Sequence, residues 1–396
     1  MARAMSTPTG ATKDQRMDSQ RFTLWGWHLS YYTGKVLCYL RYKKIPHTHT
    51  PVTMWTLMGR IKRKTGSAVM PVLTTPQGEW LQDSSAIIDH LEVLHPGPSI
   101  WPDTPVQRFV ASLMETWGDE WWVPMAMHTR WSHPENYSAF EAEAGPALLP
   151  YFPKWMQRKA VARTASVLRN YLPAVGVRPE QFTVMDRWTD AMLDHLDLHF
   201  SQHAYLLGGR PSMGDFGLVG TMYGHFAHDP WPARELIAPR PHLQAWVDRM
   251  ASRPEKSQSQ WSEHGWLAED QIAPSLIPVV ASIFQEFLPM VEAINQQVTS
   301  LLATWPRAKV LPRSLKDIAC PMGQAVFHRA AFPYTLWMVQ RTLDLYRSMS
   351  IAEQITVRTW LENAVGKSDV DRLLDLKIPR LRRSGLRVVF DENSLA

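Results

Sequence analysis

The sequence predicts an α/β domain over about the first hundred residues, then an all-α domain, then a further, mostly helical C-terminal region. Strand and helix patterns alternate before residue 96, a proline-rich break follows at 96–105, and helical periodicity dominates beyond it. With 396 residues, the chain is long enough for two or three domains that each bury a core.

The first domain shows the order β-α-β-α-β-β-α. Short segments rich in aromatic and β-branched residues predict strands, and apolar residues at helical spacing predict helices. Asp83 offers a carboxylate that can cap the last of these helices. The predicted elements are a strand at 22–25, a helix at 33–44, a strand at 47–51, a basic helix at 54–64, strands at 69–75 and 79–81, and a helix from 83.

The second domain is predicted to be helical throughout. Its helices are expected around 106–128, 153–172, 180–201, 213–228 and 241–252. Ser212 and Asp215 have the spacing of an N-capping box at the head of one of them. Polar residues at 253–273 suggest a second linker, and helical periodicity returns at 275–305 and 331–364, whereas 314–322 and the stretch from 380 look irregular.

Composition excludes several classes of function. The formal net charge is only +5, and no basic stripe interleaved with aromatic residues indicates a nucleic-acid partner. No apolar run approaches the roughly 18 residues of a membrane span, and residues 1–20, read as a flexible tail, have no secretory hydrophobic region. Cys38 and Cys320 lack disulfide-rich or metal-type spacing, which favours a reducing, cytoplasmic location and no metal site.

Hydroxyl side chains cluster where the first strand meets the first helix. Ser30, Tyr31 and Tyr32 occupy this loop, with Lys35 one turn further on. A helix N-terminus presents free N–H groups and the positive end of the helix dipole, so this location favours an anion.

These elements together resemble the glutathione transferase superfamily, over about the first 250 residues, in its Ser- or Cys-type, bacterial-like form. The resemblance rests on four signatures in the right order: Ser30–Lys35, Met70–Pro71, Asp83–Ser84 and Ser212–Asp215. It implies a thioredoxin-like domain at 21–95, a linker at 96–105 and a helical domain at 106–252. Residues 253–396 would then be an additional helical extension of unknown role.

The resemblance also implies roles in binding glutathione as a cosubstrate. The Ser30 hydroxyl would stabilise the glutathione thiolate, with Tyr31 and Tyr32 as rivals, by lowering a thiol pKa of about 8.5 by roughly one to two units. Met70 would pair with the cysteinyl backbone beside a cis Pro71. Ser84 would bind the γ-glutamyl carboxylate and Asp83 its ammonium group. Lys35 would lie near the glycyl or thiolate end, or else be solvated.

The implied activity is attack of glutathione thiolate on a small apolar electrophile. Conjugation, displacement and thiol-assisted isomerisation all remain open. Four aromatic residues of the second domain are expected to line the electrophile side of the cleft: Trp117, Trp121, Trp122 and Tyr223. A non-catalytic scaffold and a hydrophobic-ligand carrier are alternatives. The resemblance also implies a homodimer, the usual oligomeric state of the superfamily. The extension could pack on the second domain, cover the electrophile site or form an oligomer contact.

Overall fold

A four-stranded mixed sheet forms the N-terminal domain in the computed structural model, which describes residues 21–251, 265–306 and 309–391. The strand order is β2-β1-β3-β4, with β1 parallel to β2 and antiparallel to β3. This confirms the predicted thioredoxin-like arrangement. The elements are β1 (Phe22–Trp25), α1 (Tyr31–Tyr42), β2 (His47–Thr50), a π-helical turn (Thr56–Ile61) leading into α2 (Lys62–Thr65), β3 (Val72–Thr74), β4 (Trp80–Gln82) and α3 (Ser84–Leu94).

Seven main helices build the second domain. They are α4 (Pro105–Glu120), α5 (Val123–Ser132), α6 (Pro134–Leu148), α7 (Lys154–Arg169), α8 (Phe182–Gln202), α9 (Met213–Thr221) and, after the short α10 (Pro230–Pro232), α11 (Pro241–Ala251). The single helix predicted at 106–128 is in fact two, separated at Trp121–Trp122, and α6 was not predicted.

Helices α4 and α9 cross very closely, and glycines make this possible. A Cβ atom on Gly118 would lie 2.7 Å from the backbone carbonyl carbon of Gly217, closer than real contacts allow. The predicted capping box holds the start of α9. One oxygen of Asp215 accepts hydrogen bonds from the Ser212 N–H and hydroxyl, both at 2.9 Å. Its other oxygen accepts from Trp246 Nε1 at 3.0 Å, which ties α9 to α11.

The C-terminal region is helical, as predicted, but it also contains two β-hairpins where irregular structure was expected. It comprises α12 (Ile277–Ser282), a π-helical turn (Ile283–Phe287), α13 (Leu288–Leu301), β5 (Asp317–Met322), β6 (Ala325–Ala330), α14 (Pro333–Ser348), α15 (Ile351–Val365), α16 (Lys367–Leu374), β7 (Leu381–Ser384) and β8 (Arg387–Phe390). Its helices α14 and α15 pack on α4. One hydrophobic core therefore runs without a break from α1 through α4 into the C-terminal region.

One helical stretch, Pro274–Leu301, is long and apolar enough to cross a membrane by length and composition, although the sequence analysis expected no such run. Within its most apolar window, 56% of the residues are buried inside the protein. Core helices of ordinary globular proteins pass the same test, so the stretch is weak evidence for a membrane span. Two segments lie outside the described residues: the tail predicted at 1–20 and part of the linker predicted at 253–273.

Candidate functional site

A cavity of about 180 Å³ lies where the N-terminal domain, the helical domain and the C-terminal region meet. Four residues expected to bind glutathione come together on its wall: Met70, Pro71, Asp83 and Ser84. The Met70–Pro71 peptide bond is cis, as the resemblance implies, and it leads directly into β3. Asp83 connects β4 to α3 with a positive φ of 91°, which places it and Ser84 at the head of the helix.

Both carboxylate oxygens of Asp83 already have partners within the chain. Oδ1 accepts a hydrogen bond from the Ala86 N–H at 3.0 Å and so caps α3. Oδ2 accepts a hydrogen bond from the hydroxyl of Tyr334, a residue in the first turn of α14. Burial, followed by the Asp83 charge, raises the pKa of Tyr334 well above its usual value, so the phenol stays protonated and donates. The position implied for the ligand's ammonium group is therefore held by the C-terminal region.

Two further contacts fasten the C-terminal region to this side of the first domain. Arg383 on β7 donates a hydrogen bond to the Gln82 carbonyl oxygen at 3.0 Å. Arg341 on α14 forms an ion pair with Asp89 of α3 at 3.0 Å. The C-terminal region is therefore joined directly to the domain that supplies Met70, Pro71, Asp83 and Ser84.

The three candidate hydroxyls lie in different surroundings. Ser30 is the N-cap of α1, where its oxygen accepts from the Thr33 N–H at 3.4 Å, and it is not among the residues lining the cavity. Tyr31 is buried and donates to the Gly118 carbonyl oxygen. Tyr32 does line the cavity, and its hydroxyl donates to the Asp119 carbonyl oxygen at 3.0 Å. Burial raises the pKa of both tyrosines well above the usual value, so neither ionises near neutrality.

Lys35 is neither solvated nor turned towards a ligand, which corrects both expectations for it. Its side chain is fully buried, and Nζ contacts Glu115 at 2.8 Å, Asp119 at 2.5 Å and Ser85 at 3.0 Å. Burial alone would lower the pKa of Lys35, but the charges of Asp119 and Glu115 outweigh it and raise the pKa. Lys35 therefore joins α1 to α4 as a structural ion-pair centre.

The two carboxylates of this centre respond differently to it. The nearby positive charges, with Lys35 foremost, outweigh burial and hold the pKa of Glu115 below its usual value. Burial raises the pKa of Asp119 to about 7, against the opposing charge of Lys35. One buried carboxylate is therefore anionic at neutral pH, while the other titrates there.

The structure adds cavity residues that the sequence analysis did not assign. Glu120, at the end of α4, accepts a hydrogen bond from the Thr335 hydroxyl at 2.5 Å, and burial raises its pKa to about 7. Arg313, Arg329 and Arg387 of the C-terminal region also line the cavity. A signal for part of this set was present: residues 328–341 form the densest mixture of aromatic and basic residues in the C-terminal third.

The aromatic residues expected at the electrophile side are elsewhere. Trp117, Trp121 and Trp122 are all 0% exposed and none lines the cavity, which corrects that expectation. They pack edge to face around Trp188, because large rings in a helical domain fill its core. Tyr223 lines a separate cavity, where its hydroxyl lies 3.1 Å from His28 Nδ1.

Within the described residues, no group of three or more His, Cys, Asp or Glu side chains is arranged to hold a metal ion. The cavity wall itself carries carboxylates, hydroxyls and arginines.

Two regions of the chain match known protein families, one in the N-terminal domain and one in the helical domain. Residues 24–99 match the glutathione S-transferase N-terminal domain, and residues 189–249 match the glutathione S-transferase C-terminal domain. These two regions of the chain therefore carry the two domains of the glutathione transferase superfamily. The two matched regions together span about a third of the chain, and neither reaches the C-terminal region.

Several solved structures are similar to this chain at low identity. A glutathione S-transferase from Methylobacterium radiotolerans, crystallised with glutathione sulfonate, is 19% identical, with a TM-score of 0.37 and coverage of 63% of this chain and 99% of its own. A beta-etherase from Sphingobium is 19% identical, with a TM-score of 0.42 and coverage of 59% and 96%. A theta-class enzyme from Xanthomonas axonopodis with glutathione bound is 20% identical, with a TM-score of 0.37 and coverage of 61% and 97%. No functionally curated protein matches the chain.

Proposed function

We propose that this superfamily member binds glutathione in the cavity and acts as a glutathione transferase-like enzyme. The observation that carries the proposal is the convergence of the cis Met70–Pro71 corner with Asp83 and Ser84 at the head of α3. A backbone edge beside the cis bond suits the cysteinyl group, and a helix N-terminus with a serine suits a carboxylate.

An acceptor for the thiol proton is the second requirement of such an enzyme. Glu120 lines the cavity, and burial raises its pKa to about 7, which is within reach of a thiol of pKa about 8.5. Ser30 is the position implied by the resemblance, and it would act by donating its hydroxyl to the thiolate. Ultraviolet absorbance of bound thiolate across pH separates the two. Ser30→Ala should raise the apparent thiol pKa if Ser30 stabilises the thiolate. Glu120→Gln should instead leave that pKa no higher and slow the reaction if Glu120 accepts the proton, because removing a nearby negative charge does not disfavour a thiolate.

Calorimetric titration with glutathione tests the proposal directly. We expect binding by the unmodified protein and a loss of order 1–3 kcal/mol in Ser84→Ala, because a carboxylate contact is removed. Ser201→Ala, an exposed serine on α8, is the matched control and should bind as the unmodified protein does. Unchanged affinity in Ser84→Ala would remove the basis for assigning the γ-glutamyl end to α3.

One observation favours a second candidate, a non-catalytic scaffold. The Tyr334 hydroxyl donates a hydrogen bond to the carboxylate of Asp83, the group that would otherwise bind the ammonium group of glutathione. A scaffold predicts no binding at millimolar glutathione in the unmodified protein. The transferase proposal predicts binding, with Tyr334 either sharing Asp83 or moving aside.

Three further expectations stay predictions. The electrophile is expected to be small and apolar, and a panel of electrophiles for conjugation, displacement and isomerisation would identify the reaction. A homodimer is expected from the superfamily, and light scattering tests it. A reducing, cytoplasmic location fits two free, buried thiols, Cys38 and Cys320.

A further inference from the structure

Arg329 is a buried cation that forms no ion pair with an acidic side chain of the described residues. It is 2% exposed, and it takes part in none of the ion pairs found between described residues. Its Nη1 donates one long hydrogen bond, 3.3 Å, to the Glu120 backbone oxygen, and its Nε has no hydrogen-bond partner among the described residues. The guanidinium carbon lies 5.0 Å from the centre of the Phe332 ring.

Such an arrangement is costly unless something completes it. A buried charge without a counter-ion carries a large desolvation cost. The charge of the Glu120 carboxyl offsets that cost only in part, since it forms no ion pair with Arg329, accepts from the Thr335 hydroxyl, and is favoured in its neutral form by burial. Burial correspondingly lowers the pKa of Arg329. An anion entering the cavity would supply both the charge and the missing hydrogen-bond acceptor.

The surroundings of Arg329 favour an anion further. Arg313 and Arg387 line the same cavity and are exposed, and all three arginines come from the C-terminal region. Tyr32 and Met70 line the cavity from the first domain. The C-terminal region thus adds positive charge to a cavity that the first domain builds with backbone, hydroxyl and carboxylate groups.

We propose that Arg329, flanked by Arg313 and Arg387, is a carboxylate-binding subsite that the C-terminal region adds to this cavity. A guanidinium matches a planar carboxylate with two parallel hydrogen bonds. The inference rests on the proposed function for its ligand, and two sources share the required chemistry: the glycyl carboxylate of glutathione, or a carboxylate on the second substrate.

Ligand pairs that differ only in this charge test the subsite on the unmodified protein. The first arm compares glutathione with its glycyl monoethyl ester by calorimetry at pH 7.5. The second compares benzoate with benzamide, both with and without saturating glutathione. We expect the acid to bind at least about tenfold more tightly than its neutral counterpart in one arm, and that arm identifies the source of the carboxylate.

Arg329→Gln should abolish this preference, while Arg382→Gln, an exposed arginine on β7, should retain it. If Arg329→Gln does not fold, Arg387→Gln should reduce the preference several-fold in its place. Equal affinity of acid and neutral ligand in both arms, no binding by any of the four compounds, or a preference that survives Arg329→Gln would overturn the subsite. Benzoate binding without glutathione binding would instead keep the subsite and overturn the transferase proposal.

Discussion

Replacing Lys35 by methionine should strongly destabilise the protein without removing a ligand contact. The ammonium group makes three contacts, to Glu115, Asp119 and Ser85, all in the interior. Removing one partner of a buried ion pair leaves an uncompensated charge and typically costs about 3–5 kcal/mol. Here two carboxylates lose the same cation, and the remaining nearby cation, Arg341, is 3.8 Å from Glu115. We therefore expect a loss of about 3–5 kcal/mol in the free energy of unfolding at pH 8.

The pH dependence of this loss has a definite sign. Without Lys35, the folded-state pKa of Asp119 should rise beyond its value of about 7. The folded variant then binds more protons than the unfolded chain between about pH 4 and 8, so its stability falls as pH rises. The gap between the unmodified protein and Lys35→Met should accordingly be wider at pH 8 than at pH 6.

Urea unfolding followed by tryptophan fluorescence at both pH values measures this gap. Lys62→Met, an exposed lysine on α2, is the control and should change the unfolding free energy by less than about 0.5 kcal/mol. A loss below about 1 kcal/mol in Lys35→Met would refute the ion-pair interpretation. So would retained stability together with a tenfold weaker affinity for glutathione, because that result would place Lys35 in the ligand site.

Three other substitutions test the remaining parts of the structure. Tyr334→Phe removes a hydrogen-bond donor from the buried Asp83 carboxylate, so it should lower the free energy of unfolding by about 1–3 kcal/mol. The same change should strengthen glutathione binding measured by calorimetry, because Asp83 is then open to the ligand. Weaker binding would contradict competition between Tyr334 and glutathione for Asp83. Gly118→Ala forces a Cβ to within 2.7 Å of the backbone of α9 and should lower the urea midpoint, whereas Gly59→Ala, with open space around it, should not. Glu120→Gln removes a carboxyl whose folded-state pKa, about 7, lies above its unfolded-state value, and this shift makes the stability of the unmodified protein fall as pH rises from about 4.5 to 7. In urea titrations the variant should therefore gain stability relative to the unmodified protein over this range. Parallel curves of stability against pH would contradict the shift.

The parts of the fold predicted correctly from sequence are those encoded by neighbouring residues. The order of strands and helices in the first domain follows from local periodicity, and Ser212 and Asp215 form their capping box within a single turn. The hairpins of the C-terminal region were missed because their strands lack the usual pattern. Pro321 lies within β5, which begins at an acidic residue, and two of the four residues of β7 are arginines.

Site residues could be predicted only where a short sequence motif itself lines the cavity, as at Met70–Pro71 and Asp83–Ser84. Lys35 could not be assigned from sequence, since its partners lie 80 and 84 residues away on another helix. The tryptophans were misassigned for a related reason. A helix rich in large rings looks the same in sequence whether the rings line a cleft or fill a core, and only packing against Trp188 decides it.

The C-terminal region and the glutathione half-site form one unit rather than two. Tyr334 donates a hydrogen bond to Asp83 across 251 residues of chain, and Thr335, the next residue, donates to Glu120. The first turn of α14 therefore contacts two carboxylates of the cavity, Asp83 and Glu120, at once. Because Asp83 and Glu120 both accept hydrogen bonds from α14, a shift of the C-terminal region would change the partners of these two acids together. Ligand affinity and the stability of the C-terminal region should consequently be coupled, since both depend on the same carboxylates.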